Sequence, residues 1–261
     1  DPADCGPACI SLSQDIQGEI FEYPEEFFKE RVHNIRRPRP DDFQIKEAAE
    51  KIKKSKNPII ISGGGVFYSD AMEDLSNFAI KHNIPVTQTV MGYSTMKRDH
   101  SYFLGPIGGL GGKAANNFAK KTDLAIAVGT KLGDFTTGSW ANFENPNFSL
   151  VSVNVSRFDA NKHMAQSVIG DAKVTLNELS EVLGNWKAPE DWYKKSRDEL
   201  KSWNAYVDKE SGPTNQNLPS YAHAVGAVYR NSDPSDIAVT AAGGLVGEVV
   251  QIWRPRELNT H

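Results

Sequence analysis

Short apolar, largely β-branched runs alternate along the middle of this chain with stretches of helical period. Pro58-Ile59-Ile60-Ile61-Ser62 has no polar alternation, as expected of a strand buried on both faces. Ile84-Pro85-Val86-Thr87, Leu124-Ala125-Ile126-Ala127-Val128-Gly129 and Leu150-Val151-Ser152-Val153-Asn154 read the same way. Between them lie helical patterns. Ile45, Ala48, Ala49 and Ile52 follow the i, i+3, i+4, i+7 spacing behind a capping Asp41 or Asp42. Asp70 with Glu73 suggests a capping-box start for a helix carrying Leu75, Phe78 and Ala79. Gly105 to Gly112 holds five glycines and opens onto a helix from Lys113 to Lys121. Asp171 caps a helix with Val174, Leu176, Leu179 and Leu183. Strand–helix alternation at this spacing predicts an α/β fold over residues 41–184, a doubly wound parallel sheet with helices on both faces.

The flanks differ. Pro7-Ala8-Cys9-Ile10-Ser11-Leu12 reads as a short buried strand with Cys9 as a structural thiol. Arg36-Arg37-Pro38-Arg39-Pro40 reads as an exposed linker, and its short proline-broken charge run argues against a polybasic motif. In residues 185–212, Trp186, Trp192, Trp203 and Tyr206 sit among balanced charges, which predicts one long amphipathic helix rather than a nucleic-acid platform. Gly212-Pro213 breaks it, and Pro219 precedes a helix from Ser220 to Arg230. Ile237-Ala238-Val239-Thr240 reads as a strand, and Ala241-Ala242-Gly243-Gly244 turns into a helix from Gly247 to Trp253. The expected division is residues 1–40 as the end of one domain and a linker, 41–184 as the central Rossmann-like domain, and 185–261 as a linker helix and the start of another domain. Asp1 stands without a Met before an apolar run, and His261 follows a helical pattern. Both ends read as internal to a longer protein.

Composition narrows the function. The 261 residues carry 29 basic and 33 acidic side chains, a net charge of −4, so no basic excess drives nucleic-acid binding. No apolar run approaches the ~18 residues of a membrane span. No signal peptide opens the chain. Two cysteines, Cys5 and Cys9, make no disulfide framework and fit a reducing compartment.

Glycine-rich turns between strand and helix let a backbone approach a phosphate. Ser62-Gly63-Gly64-Gly65, Val128-Gly129-Thr130-Lys131-Leu132-Gly133 and Ala242-Gly243-Gly244 are three such turns. None completes a dinucleotide fingerprint or a Walker A loop, so phosphate cradling and tight strand-to-helix packing both stay open. The six histidines are scattered, and Cys5 with Cys9 lacks a second pair to complete a zinc site. Asp159 and Asp171 are candidate acids, Asp171 more simply a cap. The residues themselves assemble no catalytic constellation and no metal site.

The order of these segments resembles the central part of thiamine-diphosphate-dependent enzymes of the acetolactate synthase type. Cys5 to Asp15 is similar to the closing segment of that family's pyrimidine-binding domain. Pro58 to Gly65 resembles the first strand and glycine turn of its central domain, and Thr89-Val90-Met91-Gly92 a later turn. Val128 to Asp134 resembles its Gly-x-x-x-x-Asp loop, and Val168-Ile169-Gly170-Asp171 its Gly-Asp before the last helix. Three stretches are more particular: Ser13 to Glu19, Met91 to Met96, and Thr240 to Glu248 with Trp253-Arg254. They look like the ring-opening hydrolases of inositol catabolism, a group that has also carried a malonic semialdehyde decarboxylase-type name.

The resemblance implies hydrolytic carbon–carbon cleavage that opens a trihydroxycyclohexane-1,2-dione to 5-deoxyglucuronate, with thiamine diphosphate as electron sink and Mg²⁺ tying it to the protein. The partner implied is a small cyclic diketone, with no nucleic acid and no membrane, in a cytoplasmic homodimer or homotetramer. The family's activating glutamate and its Gly-Asp-Gly metal motif have no counterpart here, so this stretch alone is expected to be inactive. Ala242, Gly243, Gly244 and Leu245 match the segment that borders the diphosphate. FAD, held by some relatives in the central domain, is not expected, because Gly105-Pro106-Ile107-Gly108-Gly109 departs from the flavin-binding pattern. The central domain is then a structural remnant. Two other readings remain: a decarboxylase or synthase of the same superfamily acting on a 2-keto acid, and a non-catalytic nucleotide-binding or assembly module.

Overall fold

The computed structural model describes residues 7–260. Residues 7–40 carry one α-helical turn, α1 (Gln14–Gln17), one 3-10 turn over 25–28, and otherwise extended coil. The core then begins with α2 (Asp42–Lys54). Asp41 caps it, accepting from the Phe43 amide at 2.9 Å, and the helix buries Ile45, Ala48, Ala49 and Ile52. Next come β1 (Pro58–Ser62), α3 (Gly64–Tyr68), α4 (Met72–His82), β2 (Val86–Gln88) and β3 (Phe103–Pro106). They are followed by α5 (Lys113–Lys121), β4 (Leu124–Val128), α6 (Asp134–Thr137) and β5 (Ser149–Asn154). The core closes with α7 (Arg157–Ala160), β6 (Gln166–Ile169) and α8 (Ala172–Leu183).

The six strands form one parallel sheet in the order β3-β2-β1-β4-β5-β6. The order reverses between β1 and β4, the switch point of a doubly wound sheet. The fold is α/β and Rossmann-like. Helix α8 packs against both α2 and α4 over one face, and α5 packs with α9 (Glu190–Glu210) over the other. The β1 and β4 residues are buried from end to end, as their unbroken apolar runs require.

The aromatic segment forms the 21-residue helix α9, which buries Trp192, Ser196, Leu200 and Val207. Trp192 Nε1 donates to the Pro58 carbonyl at 2.8 Å and the ring packs 4.1 Å from Phe118, so α9 belongs to the core. Beyond it, α10 (Tyr221–Asn231) starts at a capping box of Ser220 and His223. The last helix, α11 (Gly244–Ile252), buries Val249, Val250 and Ile252. Val207, Val225, Tyr229, Val249, Ile252 and Trp253 make a second small apolar cluster.

Several expectations need correction. Residues 7–12 form no strand; they are exposed, Cys9 included, because among the described residues no strand lies beside them to satisfy their backbone groups. Cys5 and Gly6, which open the same stretch, lie outside the described residues. Residues 237–240 are also coil, and Ala238 N–H alone finds a backbone partner there, the Thr260 carbonyl at 3.1 Å. Asp70 does not cap α4: it lies at φ 53°, the N-cap is Ala71, and no side chain caps that end. The run 36–40 is not a free linker, since Arg37 is half-buried and Pro40 buried. The last helix begins three residues earlier than expected, at Gly244. Strands β3 and β6 carry Gly105, Pro106, Gln166 and Ser167, which hid them from any apolar pattern.

Candidate functional site

The carboxyl ends of β1, β4 and β5 open into a cleft of about 1190 Å³ at the switch point of the sheet. Its floor is the turn after β1 (Gly64, Gly65), the turn after β4 (Gly129 to Gly133) and the turn after β5 (Val155, Ser156). One wall is the segment 33–38, held against the start of α8. Arg37 Nη1 donates to Asp171 Oδ2 at 3.0 Å, to Ser69 Oγ at 3.1 Å and to the Ser69 carbonyl. Asp171 N–H donates to the Pro38 carbonyl at 2.8 Å. The Asp171 carboxylate also caps α8, accepting from Lys173 N–H at 3.0 Å and Val174 N–H at 3.3 Å. Asp171 is thus a cap and a tether, fully engaged by donors. Asp159, the other candidate acid, pairs with Lys162 at 2.5 Å on the same rim.

The glycine turns of the floor serve each other. A Cβ on Gly65 would lie 2.6 Å from the Gly129 Cα, and one on Gly63 would lie 2.4 Å from the Gly129 carbonyl oxygen. Gly65 N–H donates to the Gly129 carbonyl at 2.9 Å, and Gly63 N–H to the Val128 carbonyl at 2.9 Å. Those amides are therefore spent on packing β1 against β4, not offered to a ligand. Gly133 lies at the open mouth, with nothing within 4 Å of an added Cβ. Exposed Met91 and Phe135 offer apolar surface there, and Arg36 and Lys131 offer positive charge.

The groups with displaced pKa values lie outside this cleft. Burial lowers His82 and His100 below the usual imidazole value, and raises the Tyr93 and Tyr102 phenols. Among the described residues no three His, Cys, Asp or Glu side chains gather to hold a metal, and no nucleophile meets a base in the cleft. Among the described residues the cleft therefore assembles no catalytic centre of its own.

The sequence-derived residues Ala242, Gly243, Gly244 and Leu245 lie elsewhere. They are exposed at the N-terminus of α11, and Gly243 holds φ 150°, where L side chains are strained. No side chain caps this end, and nothing lies within 4 Å of a Cβ on Gly243. The first amides of α11 therefore face solvent from an open backbone. That donor set suits a diphosphate, whose oxygens take backbone N–H groups at a helix start. Sequence reasoning marked Thr89 to Gly92 and Met91 to Met96 as motifs but missed that the segment from Thr89 to Arg98 joins the two places: Met91 lines the cleft, and Tyr93 reaches the far end of α11.

Comparison with known proteins agrees with this architecture. The family described as thiamine pyrophosphate enzyme, central domain, matches residues 45–179. A 3D-(3,5/4)-trihydroxycyclohexane-1,2-dione hydrolase of Clostridium perfringens strain 13 is 38% identical over 97% of this chain and 43% of its own length. The hydrolase of that name from Clostridium tetani is 39% identical, and one from Bacillus anthracis 36%, each over all of this chain and 44% of the relative. The chain spans less than half the length of these curated relatives.

Proposed function

We propose a function from one premise: the chain belongs to the thiamine pyrophosphate enzyme family, whose central domain it carries. The protein it represents is a thiamine-diphosphate-dependent hydrolase that opens the ring of trihydroxycyclohexane-1,2-dione to 5-deoxyglucuronate in myo-inositol catabolism. The observation that carries this is the 36–39% identity, over nearly the whole chain, to relatives bearing the hydrolase name.

In this reading residues 1–40 close a pyrimidine-binding domain, 41–184 are the central scaffold, and 185–261 lead into a diphosphate-binding domain. Ala242, Gly243, Gly244 and Leu245 border the cofactor's diphosphate. The exposed, uncapped start of α11 supports that role, and the glycines let phosphate oxygens approach the backbone. When bound, thiamine diphosphate supplies an electron sink for carbon–carbon cleavage. Mg²⁺, held by oxygen ligands from other parts of the protein, accompanies it. This chain's own contribution is to place the α11 amides and to join the domains. A homodimer or homotetramer and a cytoplasmic location belong to the same reading.

The test is an assay of the full-length protein on the trihydroxycyclohexanedione with thiamine diphosphate and Mg²⁺, then with EDTA. Cofactor-dependent ring opening without CO₂ is the expected result. CO₂ released from a 2-keto acid or from malonic semialdehyde instead would make the protein a decarboxylase or synthase of the same family. Residues 1–261 alone are expected to be inactive.

A second reading rests on the cleft. Its place at the switch point and its size would suit a nucleotide, giving the central domain a binding role without chemistry. The scaffold reading is preferred, because the Gly63 and Gly65 amides are already bonded to the last residue of β4 and the residue after it. FAD is not part of it. Titration with FAD, NAD and ADP separates the two: micromolar binding would overturn the scaffold reading.

A further inference from the structure

The β2–β3 connection and the chain around α11 are stitched together at several points. The Tyr93 hydroxyl is buried and lies 2.8 Å from the Val250 carbonyl and within hydrogen-bond distance of the Trp253 carbonyl, sharing its proton between the last turn of α11 and the residue after it. Burial raises the phenol far above its ordinary pKa, so it stays a donor at any working pH. Arg98 N–H donates to the Pro255 carbonyl at 2.7 Å, and its guanidinium donates to the Tyr229 hydroxyl at 2.5 Å. Tyr229 in turn donates to the Arg254 carbonyl at 3.1 Å. Lys97 pairs with Glu257, and Thr260 N–H donates to Ser94 Oγ at 3.2 Å.

The other end of the same connection is fixed to the sheet. Thr89 N–H donates to the Ser62 carbonyl at 2.9 Å, and the Thr95 and Ser62 hydroxyls share a buried hydrogen bond of 2.8 Å. A Cβ on Gly92 would lie 2.2 Å from the Ser62 carbonyl oxygen, so this turn is seated on the end of β1. By contrast, the N-terminal half of α11 is exposed or half-buried and has no side-chain cap. The helix has nine residues, about 13 Å at 1.5 Å per residue. It is hydrogen-bonded to the β2–β3 connection at its C-terminal end, while its exposed glycine end rests only in van der Waals contact, Gly244 facing the Tyr221 ring and Gly247 facing Leu110. A small tilt at the anchor moves the glycine end most.

We propose that Tyr93 is a positioning residue, which fixes the pose of α11 against the central sheet and so sets where the Gly243–Gly244 amides present themselves to the cofactor's diphosphate. This rests on the functional reading above. Tyr93 touches no reacting atom; it acts through the Val250 and Trp253 carbonyls. It also ties together two stretches singled out in the sequence, Met91 to Met96 and Trp253-Arg254, through the Tyr93 bond to the Trp253 carbonyl.

The experiment uses the full-length protein and Tyr93→Phe, which keeps the ring and removes the donor. Thiamine diphosphate affinity is read by calorimetry with Mg²⁺, and hydrogen exchange is read over residues 244–252 and over β1 and β4. Losing one buried hydrogen bond is expected to weaken the cofactor by about fivefold. Exchange is expected to quicken in α11 and stay unchanged in β1 and β4. Tyr229→Phe, which breaks the neighbouring link to Arg98 and Arg254, should act in the same direction, and serves if Tyr93→Phe fails to fold. Unchanged affinity and unchanged α11 exchange would overturn the proposal. Faster exchange spread evenly through β1 and β4 would also overturn it, by making Tyr93 a general stability residue. A wild-type protein that binds no thiamine diphosphate would overturn the functional reading instead, and the exchange pattern would then still decide whether Tyr93 positions α11.

Discussion

Arg37 and Asp171, 134 positions apart, meet in an ion pair of 3.0 Å at the wall of the switch-point cleft. The pair fastens the segment before α2 to the first turn of α8. Asp171 is buried and does two jobs, so its replacements should separate them. Asp171→Asn keeps a cap acceptor and loses the charge; Asp171→Ala loses both. The alanine variant is expected to lose about 2 kcal/mol, and the asparagine variant clearly less. Chemical denaturation of both variants checks the order, and equal losses would assign the whole effect to the ion pair.

The glycines of the cleft divide into two kinds. Gly129 holds φ 61°, and an added Cβ would lie 2.6 Å from the Gly65 Cα, whereas Gly133 faces open space. Gly129→Ala is expected to cost about 3 kcal/mol or more, from backbone strain and overpacking together. Gly133→Ala should fall within about 0.5 kcal/mol of the parent. Thermal unfolding of the two variants side by side reads the contrast.

His82, the last residue of α4, is fully buried against α8. Its Nδ1 lies 2.8 Å from the Trp186 carbonyl and its Nε2 3.0 Å from Ser180 Oγ. Burial lowers its pKa below 6.5, the Trp186 hydrogen bond works the other way, and Lys81 and Lys187 add to the lowering. The unfolded chain therefore binds this proton more readily than the fold. Stability is full above pH 6.5, falls as the pH drops below it, and levels off once the folded form also protonates. His82→Gln should flatten that part of the profile between about pH 5 and pH 7. A profile as steep as the parent's would place the acid sensitivity at His100 or elsewhere.

Gly243 stands at φ 150° directly before α11. Alanine is strained there, and the strain falls on the loop proposed to border the diphosphate. In the full-length protein Gly243→Ala should weaken thiamine diphosphate about tenfold. The melting temperature without cofactor should fall only modestly, by the backbone strain of this one residue, since no packing is lost in an exposed loop. Calorimetry with Mg²⁺ gives the first number and a thermal scan without cofactor the second.

Most of the central fold was legible residue by residue. Ile45, Ala48, Ala49 and Ile52 announced the buried face of α2, and Asp41 its cap, because helical period and capping are local properties. The runs at 58–62 and 124–128 announced central strands, because only a strand covered on both faces can be apolar throughout. The apolar runs at 7–12 and 237–240 misled for the complementary reason. A strand exists only beside another, and sequence does not show whether a neighbour is at hand. The loop proposed to border the diphosphate was legible only in part: the glycines of 242–245 are visible in the chain, but their exposure at an uncapped helix start is not.

What the sequence determined by itself is therefore whatever depends on near neighbours: periodicity, caps, strand-to-helix turns, and the ordered motifs that place the chain in its family. Only the tertiary structure decided that Gly65 and Gly129 serve each other, that Arg37 reaches Asp171, and that Tyr93 holds the far end of α11. Each of these joins residues at least 60 positions apart. No local pattern encodes them, because the partner is set by the order in which parallel strands are laid into the sheet.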